Sequence, residues 1–237
     1  MQHSGLALSY LNLYDTDAAW RLVHDLGDGP AAAIIKHANP CGAAVAGDVV
    51  GAYRLAYEAD EKSAFGGIVA LNRPVDDATA DAMVAAAQAD VIIAPAWEPG
   101  TVDKLIARRK NTRLLEATPP AGERLHLRQI AGGLLVEEPH HYAATRADWQ
   151  VVTERQPSED EWRDAELAWR LCGHVKSNAV VLVAGGQAVG IGAGQQSRVD
   201  AGEIATRKAA GRAKGGASAT DAFYPFRDGL DAAAAAG

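Results

Sequence analysis

Residues 31–42 have the sequence AAAIIKHANPCG, which places a strand directly before two polar side chains. The apolar run Ala31–Ile35 ends in β-branched residues and predicts a short buried strand. Asn39-Pro40 and the following Gly42 predict a tight turn. Lys36 and His37 are therefore expected side by side where a strand gives way to a loop, an edge at which open α/β sheets commonly bind ligands.

A lysine and a histidine at a strand end allow two interpretations. Lys36 supplies a fixed positive charge, and the imidazole of His37 can give or take a proton near neutral pH. Such a pair is, however, more often part of an ordinary solvated sheet edge. The pair becomes a candidate acid–base site only if the rest of the chain supports it.

The first part of the chain alternates between helix and strand. Apolar spacing predicts helices over residues 15–26, 49–59, 77–89 and 101–110, and strands over 68–71 and 91–94. This alternation favours a mostly parallel sheet with helices on its faces. The predicted fold class is therefore α/β.

A second unit is predicted to begin near Pro157. Ser158 and Glu161 form a capping box, which marks the start of a helix. A β-hairpin around a Gly-Gly turn and a further helix are predicted next, over residues 180–184, 188–191 and 201–210. These patterns divide the chain into a first lobe, residues 1–155, and a second lobe, residues 156–237.

Composition disfavours several classes of protein. Among 237 residues, 30 are acidic and 23 basic, a net charge of −7, whereas a nucleic-acid-binding protein would carry a basic surface. No apolar stretch has the length of a membrane-spanning helix, and no signal-peptide pattern is present. Cys41 and Cys172 are far apart, so we expect a reduced, cytoplasmic protein without disulfides.

No metal site is evident in the sequence. Cys41 follows a proline, as in zinc deaminases, but no second cysteine follows at the required spacing and no His-x-Glu precedes it. The pair His140-His141 has no evident third ligand. A zinc-dependent, deaminase-type hydrolase is therefore disfavoured, and no residue is assigned as a metal ligand.

Three later segments carry candidate binding groups. Lys176-Ser177-Asn178 precedes a predicted strand, although an ordinary turn is the simpler explanation of that segment alone. Residues 190–198 combine glycines, which let the backbone approach a ligand closely, with two glutamines and Arg198, whose guanidinium suits a carboxylate or phosphate. Residues 221–228 are rich in aromatic side chains and suit either stacking on a flat heterocycle or a core plug between domains.

Taken in order, these segments resemble the AICAR transformylase domain of the bifunctional purine biosynthesis family, also called phosphoribosylaminoimidazolecarboxamide formyltransferase. The resemblance covers nearly the whole chain, through residues 36–42, 63–67, 90–95, 176–178, 190–198 and 221–231. It implies formyl transfer from 10-formyltetrahydrofolate to the 5-amino group of 5-aminoimidazole-4-carboxamide ribonucleotide, a step of purine biosynthesis.

The resemblance also implies roles for individual residues. His37 would accept the proton of the weakly nucleophilic amine, and Lys36 would stabilise the developing oxyanion or donate a proton. Substrate-binding positions are implied at Gly66, Asp90, Asn178, Arg198 and Phe223, and Arg198 matches an arginine that reaches a neighbouring subunit's site. Folate-binding positions are implied at Gln195, Gln196, Val199 and Asp228.

The same resemblance implies two cytidine-deaminase-like lobes in three layers without zinc, and a homodimer with shared active sites. It also allows a monovalent cation. An Arg-Tyr-Gly-x-Asn-Pro-His-Gln segment, a terminal segment and the family's cyclohydrolase domain are absent from the sequence. The second lobe is therefore expected to be incomplete, and the alternative function is a catalytically incompetent fragment that retains only nucleotide binding or dimerisation.

Overall fold

The computed structural model describes residues 1–122, 125–139 and 145–236. At its centre lies an antiparallel hairpin of β2 (Ala31–Lys36) and β3 (Asn39–Val45). His37 and Ala38 form the turn, and both have a φ of 55°. Positive φ at both central residues is what a two-residue type I′ turn requires. The turn predicted at Asn39-Pro40 is therefore wrong, because these residues already belong to β3.

Pro40 fits inside a strand because the pairing of β2 with β3 is irregular there. Ile35 pairs with Pro40 whereas Ile34 pairs with Gly42, so Cys41 is an extra residue, as in a β-bulge. Proline lacks the N–H that a regular ladder needs, and strand starts and bulges tolerate it. Pro40 and Gly42 therefore indicate the bulge in β3 and not the hairpin turn.

Nine of the described strands form one mixed sheet. Their order is β1 (Gln2–Ser4), β6 (Arg113–Glu116), β5 (Val91–Ala94), β4 (Ile68–Leu71), β2, β3, β10 (Gln187–Gly192), β9 (Val180–Ala184) and β11 (Ala217–Thr220). Among these described strands, only the β4–β5 and β5–β6 pairs are parallel. The prediction of a mostly parallel sheet is wrong, because two hairpins supply the central strands.

Helices cover both faces of the sheet, so the fold has three layers. One face packs against α1 (Tyr10–Asp25) and α6 (Glu159–Cys172). The other face packs against α2 (Val49–Ala59), α3 (Glu61–Ala64), α4 (Asp77–Ala85), α5 (Thr101–Arg109) and α7 (Arg198–Ala209). Alternate residues of β2 point into the two cores, since Ile35 packs with α1 and Ile34 packs with α2. The predicted α/β class is confirmed.

The remaining elements lie outside the main sheet. β7 (His126–Ile130) and β8 (Gly133–Glu137) form a separate hairpin, a 3₁₀ turn spans Arg146–Asp148, and α8 (Arg227–Ala234) packs on α7. The pair His140-His141 lies outside the described residues. In the part of the chain that the structure describes, no helix is both long and apolar enough to cross a membrane.

Most element predictions are confirmed, and three helix boundaries differ by three or more residues. Helix α1 begins at Tyr10, five residues before the predicted start, because Ser9 and Asn12 form a capping box there. The elements predicted at 49–59, 68–71 and 91–94 match, as does the capping box of Ser158. Helix α4 ends four residues early, because the backbone becomes extended at Ala86. Helix α7 begins three residues early, because the Ser197 hydroxyl accepts a hydrogen bond from the Asp200 N–H and caps the helix there.

The two hairpins belong to a unit that occurs twice. The sequence Ala-Trp-Arg-Leu occupies residues 19–22 in α1 and recurs 149 residues later at 168–171 in α6. The units run α1-β2-β3-α2 and α6-β9-β10-α7. Because β3 pairs antiparallel with β10, an approximate two-fold axis perpendicular to the sheet relates them. The two copies are 149 residues apart, so the duplication does not give a short-period repeat in the sequence.

In both units a glycine lets the second helix lie directly on the hairpin. A Cβ atom at Gly42 would come within 1.9 Å of the carbonyl oxygen of Ala56 in α2. A Cβ atom at Gly190 would come within 2.2 Å of the carbonyl oxygen of Ala205 in α7. Any larger residue would push backbone away from backbone, which a close-packed interior resists.

Replacing Gly42 with alanine is expected to destabilise the protein by about 1–3 kcal/mol, because overpacking displaces helix α2. Gly47→Ala is a matched control, since no atom lies within 4 Å of the Cβ that it would add. Urea unfolding followed by tryptophan fluorescence measures both variants. An unchanged unfolding midpoint for Gly42→Ala would contradict the close approach of α2 to β3.

Candidate functional site

All residues predicted to act in the site lie along one edge of the nine-stranded sheet, which we call the site edge. Strands β2, β10 and β11 end at the site edge, and β3, β4, β5 and β9 begin there. The edge carries Lys36, His37, Gly66, Asp90, Asn178, Gln195, Gln196, Arg198, Val199, Phe223 and Asp228. Residues at both the starts and the ends of strands contribute to the site edge, because the sheet is mixed.

The hairpin turn presents Lys36 and His37 differently. The Lys36 ammonium donates a hydrogen bond to the carbonyl oxygen of Phe65 at 2.7 Å. The backbone N–H of His37 donates to Oδ2 of Asp15 at 3.1 Å, which holds the turn against α1. The His37 side chain is exposed, and its imidazole has no hydrogen-bond partner among the described residues. The imidazole is therefore free to contact a substrate.

Gly66 and Asp90 lie beside this turn. Gly66 has a φ of 70°, and its N–H donates to the carbonyl oxygen of Gln88 at 2.8 Å. A Cβ atom at Gly66 would lie 4.0 Å from Oδ1 of Asp90. Since Phe65 directly precedes Gly66, the Lys36 hydrogen bond joins the two loops. Lys36, His37, Gly66 and Asp90 form what we call the first group.

The loops around Asn178 and Gln195 are hydrogen-bonded to each other. Nδ2 of Asn178 donates to the carbonyl oxygens of Gln195 at 2.9 Å and Gln196 at 3.1 Å. The side chain of Gln195 donates to the carbonyl oxygen of Ala193 at 2.9 Å. Gln195 therefore shapes its own loop, whereas Gln196 lines a neighbouring cavity.

That cavity has a volume of about 470 Å³ and contains six of the predicted binding residues: Asn178, Gln196, Arg198, Val199, Phe223 and Asp228. We call these residues the second group. Phe223 and Phe226 line the cavity and are 80% and 74% exposed. Of the two roles that the sequence left open for the aromatic segment, the exposure of Phe223 and Phe226 fits a stacking surface, whereas Tyr224 is half-buried.

Arg198 is held by residues at the end of β11. One guanidinium nitrogen, Nη1, donates to Oγ1 of Thr220 at 2.8 Å and to Oδ1 of Asp221. Asp221 also accepts hydrogen bonds from the Ser177 hydroxyl and, at 3.0 Å, from the N–H of Ala179. Burial would raise the pKa of Asp221, but the bonds from Ser177, Ala179 and Arg198 outweigh burial and lower this pKa. Sequence reasoning gave Asp221 no role.

The side chain of Asn39 connects the loops that carry the two groups. Oδ1 of Asn39 accepts a hydrogen bond from the N–H of Lys176 at 3.0 Å, and the Lys176 carbonyl accepts one from Gly194 at 2.7 Å. Three strand spacings separate the end of β2 from the start of β9, a distance of about 14 Å. Sequence reasoning treated Asn39 only as a turn former, and nothing local in the sequence indicates this long-range contact.

Across residues 1–122, 125–139 and 145–236, no group of three or more His, Cys, Asp or Glu side chains is placed to hold a metal ion. Burial raises the pKa of the Cys41 thiol to about 12, so this cysteine stays a thiol. It donates instead to the carbonyl oxygen of Ile34 at 3.4 Å.

Comparison with known proteins decides the family. The model of the AICARFT/IMPCHase bienzyme family matches residues 1–208. The chain belongs to this family. It is 48% identical over 240 residues to the bifunctional purine biosynthesis protein PurH of Neisseria meningitidis serogroup C. The proteins of the same name from Trichormus variabilis and Dinoroseobacter shibae are 46% and 48% identical over 234 and 252 residues.

The three alignments cover 100%, 98% and 100% of this chain but 45%, 46% and 47% of the relatives. The chain therefore spans about half the length of the relatives that it matches. The resemblance inferred from the sequence motifs is confirmed at the level of the family.

Replacing Asn39 with alanine is expected to loosen the connection between the two groups. The change leaves the Lys176 N–H without its acceptor, at a cost of about 1 kcal/mol. Amide hydrogen exchange at Lys176 and Gly194 should therefore accelerate while the core strands stay protected. Asn39→Asp retains an oxygen acceptor and should preserve the protection, and equal exchange rates in all three proteins would contradict the connection.

Asp221→Asn is expected to lower stability at neutral pH by about 1–2 kcal/mol, because bonds to a charged acceptor are lost. The folded-state pKa of Asp221 lies below its ordinary value, so the carboxylate's contribution is complete above about pH 4 and is lost as the pH falls through the folded pKa. The stability difference between wild type and variant should shrink in acid. Urea unfolding at several pH values measures it, and a pH-independent difference would count against this role.

Proposed function

We propose that this chain carries the formyl-transfer site of its family, which transfers a formyl group from 10-formyltetrahydrofolate to the 5-amino group of 5-aminoimidazole-4-carboxamide ribonucleotide. The observation that carries the proposal is the exposed imidazole of His37, which has no hydrogen-bond partner among the described residues and follows Lys36 directly in the sequence. Family membership supports the reaction class. The relatives' name supports a place in purine biosynthesis.

The reaction needs a base because the lone pair of the amine is delocalised into the imidazole ring of the substrate. In the proposed step the amine nitrogen bonds to the formyl carbon, while its proton passes to the side chain of His37. The tetrahedral intermediate then breaks its bond to N10 of the folate, which takes up a proton. The exposure of the His37 side chain at the hairpin turn supports this role.

Lys36 suits the stabilisation of the oxyanion. Its ammonium carries three N–H donors, and the Phe65 carbonyl takes one of them at 2.7 Å. That bond positions the charge and leaves donors for the oxygen of the intermediate. A fixed cation aimed at developing negative charge is among the largest contributions to catalysis.

The remaining predicted residues divide between the two substrates. We assign the nucleotide to Gly66, Asp90, Asn178, Arg198 and Phe223, and the folate to Gln195, Gln196, Val199 and Asp228. The cavity beside Phe223 supports a flat ring stacked on an aromatic side chain. The distance of about 14 Å between the end of β2 and the start of β9 supports extended substrates lying along the site edge.

A homodimer with shared active sites is part of the proposal. Large apolar side chains are exposed at the start of α1 and on the β7–β8 hairpin: Leu6, Tyr10, Leu11, Leu13, Tyr14, Leu127, Leu134, Leu135 and Val136. Exposed apolar patches of this kind commonly mark protein interfaces. A second copy of the chain would cover them.

The duplicated helix–hairpin–helix unit supports two cytidine-deaminase-like lobes, residues 1–155 and 156–237, without zinc. We further propose that the protein acts in the cytoplasm without binding nucleic acid, and that a monovalent cation is compatible with the site. The family's cyclohydrolase activity is not assigned to this chain.

Replacing His37 with asparagine is expected to lower the rate of formyl transfer by about 100-fold or more, because the general base is removed. Asparagine tolerates the left-handed backbone at this position, so the thermal unfolding temperature should stay unchanged. A folate absorbance assay of the purified protein measures the rate. Near-normal turnover in His37→Asn would refute the proposed base.

His3→Asn is the matched control, because His3 bonds to Glu116 on a different part of the sheet and should leave the rate intact. Calorimetry with the ribonucleotide distinguishes the proposed function from the alternative function. Binding without turnover in the wild-type chain would favour a catalytically incompetent fragment. This alternative is specific because the chain spans about half the length of the relatives that it matches.

A further inference from the structure

The ion pair between Arg198 and Asp221 has a role that the proposed catalytic scheme does not use. The Arg198 side chain is 12% exposed and the Asp221 side chain is 19% exposed, so both side chains are partly shielded from water although the Asp221 backbone lies at the surface. Asp221 has two other donors, the Ser177 hydroxyl and the Ala179 N–H, which fix it to the loop before β9. The carboxylate is therefore a rigid support for the arginine.

Asp221 and Thr220 contact one end of the Arg198 guanidinium. Thr220 and Asp221 both accept from Nη1, and no described residue accepts from Nε or Nη2 of Arg198. A guanidinium is planar, so holding Nη1 at two acceptors restricts the orientation of the whole group. Nε and Nη2 together form the edge that binds an oxyanion through two parallel hydrogen bonds.

That arginine lines the cavity of the second group, together with Asn178 and Phe223. We propose that Asp221 is a positioning residue, which orients Arg198 so that its free Nε–Nη2 edge binds an anionic group of the nucleotide. This inference rests on the proposed function for the identity of the nucleotide. It adds a residue that acts through Arg198 and does not itself touch the substrate.

Two other roles for Asp221 lead to different expectations. If Asp221 only ties down the loop before β9, its removal should weaken binding equally with or without Arg198. If its negative charge repels the nucleotide, its removal should strengthen binding. Only the positioning role requires the effect of removing Asp221 on nucleotide binding to depend on the presence of Arg198. A double-mutant cycle therefore distinguishes the three roles.

Calorimetry with 5-aminoimidazole-4-carboxamide ribonucleotide should compare wild type, Asp221→Ala, Arg198→Ala and the double variant. We expect Asp221→Ala to weaken binding about tenfold when Arg198 is present, as for the loss of an oriented charged contact, and less than about twofold when it is absent. Equal losses in both backgrounds, or tighter binding, would overturn the proposal. Asp200→Ala is the matched control, since it removes an exposed carboxylate two residues from Arg198 and should change affinity less than about twofold.

If Asp221→Ala does not fold, Asp221→Asn keeps one oxygen that can accept from the N–H of Ala179, and its amide nitrogen can donate to the Ser177 hydroxyl. This variant removes the negative charge that holds Arg198, so the same cycle applies. A second measurement needs no substrate. Nitrogen-15 NMR should show restricted rotation of the Arg198 guanidinium in the wild type and faster rotation in either Asp221 variant, with no change in the Asp200→Ala control. Fast rotation in the wild type would overturn the proposal, whereas failure of the wild type to bind the ribonucleotide would count against the proposed function alone.

Discussion

The antiparallel pairing of β3 with β10 is the contact on which the rest of the structure depends. Ala44 lies opposite Gln187, and the N–H of Val45 donates to the carbonyl oxygen of Gly186 at 2.9 Å. This pairing joins two units that are far apart in the chain into one continuous sheet. Because the strands then run in fixed directions, loops from both units arrive at the same edge.

In both duplicated units, a carboxylate on the first helix holds the hairpin turn. In the first unit Asp15 on α1 accepts the N–H of His37 at the hairpin turn. In the second unit Asp164 on α6 accepts the N–H groups of Gly185 and Gly186 at 2.8 Å each. The same helix-to-turn contact therefore holds the His37-Ala38 turn at one edge of the sheet and the Gly185-Gly186 turn at the other.

Electrostatics at the site edge contrasts with the acidic chain around it. The net charge is −7, yet Lys36 and Arg198 both stand at positions where backbone or carboxylate acceptors hold them. Fixing a cation in advance avoids much of the cost of ordering it when an anionic ligand binds. A few oriented cations can thus favour an anionic ligand on a protein that is acidic overall.

Local sequence determined the class of the fold, most helix and strand positions, and the identity of the candidate catalytic pair, because apolar periodicity and caps act over a few residues. It misassigned the turn at His37-Ala38 and the direction of the sheet, because proline marked a bulge and strand direction depends on distant partners. The contacts of Asn39 with Lys176 and of Asp221 with Arg198 exist only in the folded chain. Tertiary structure alone decided them, since the β3–β10 pairing brings Asn39 near Lys176 and the β11–β9 pairing places Asp221 beside the loop before β9.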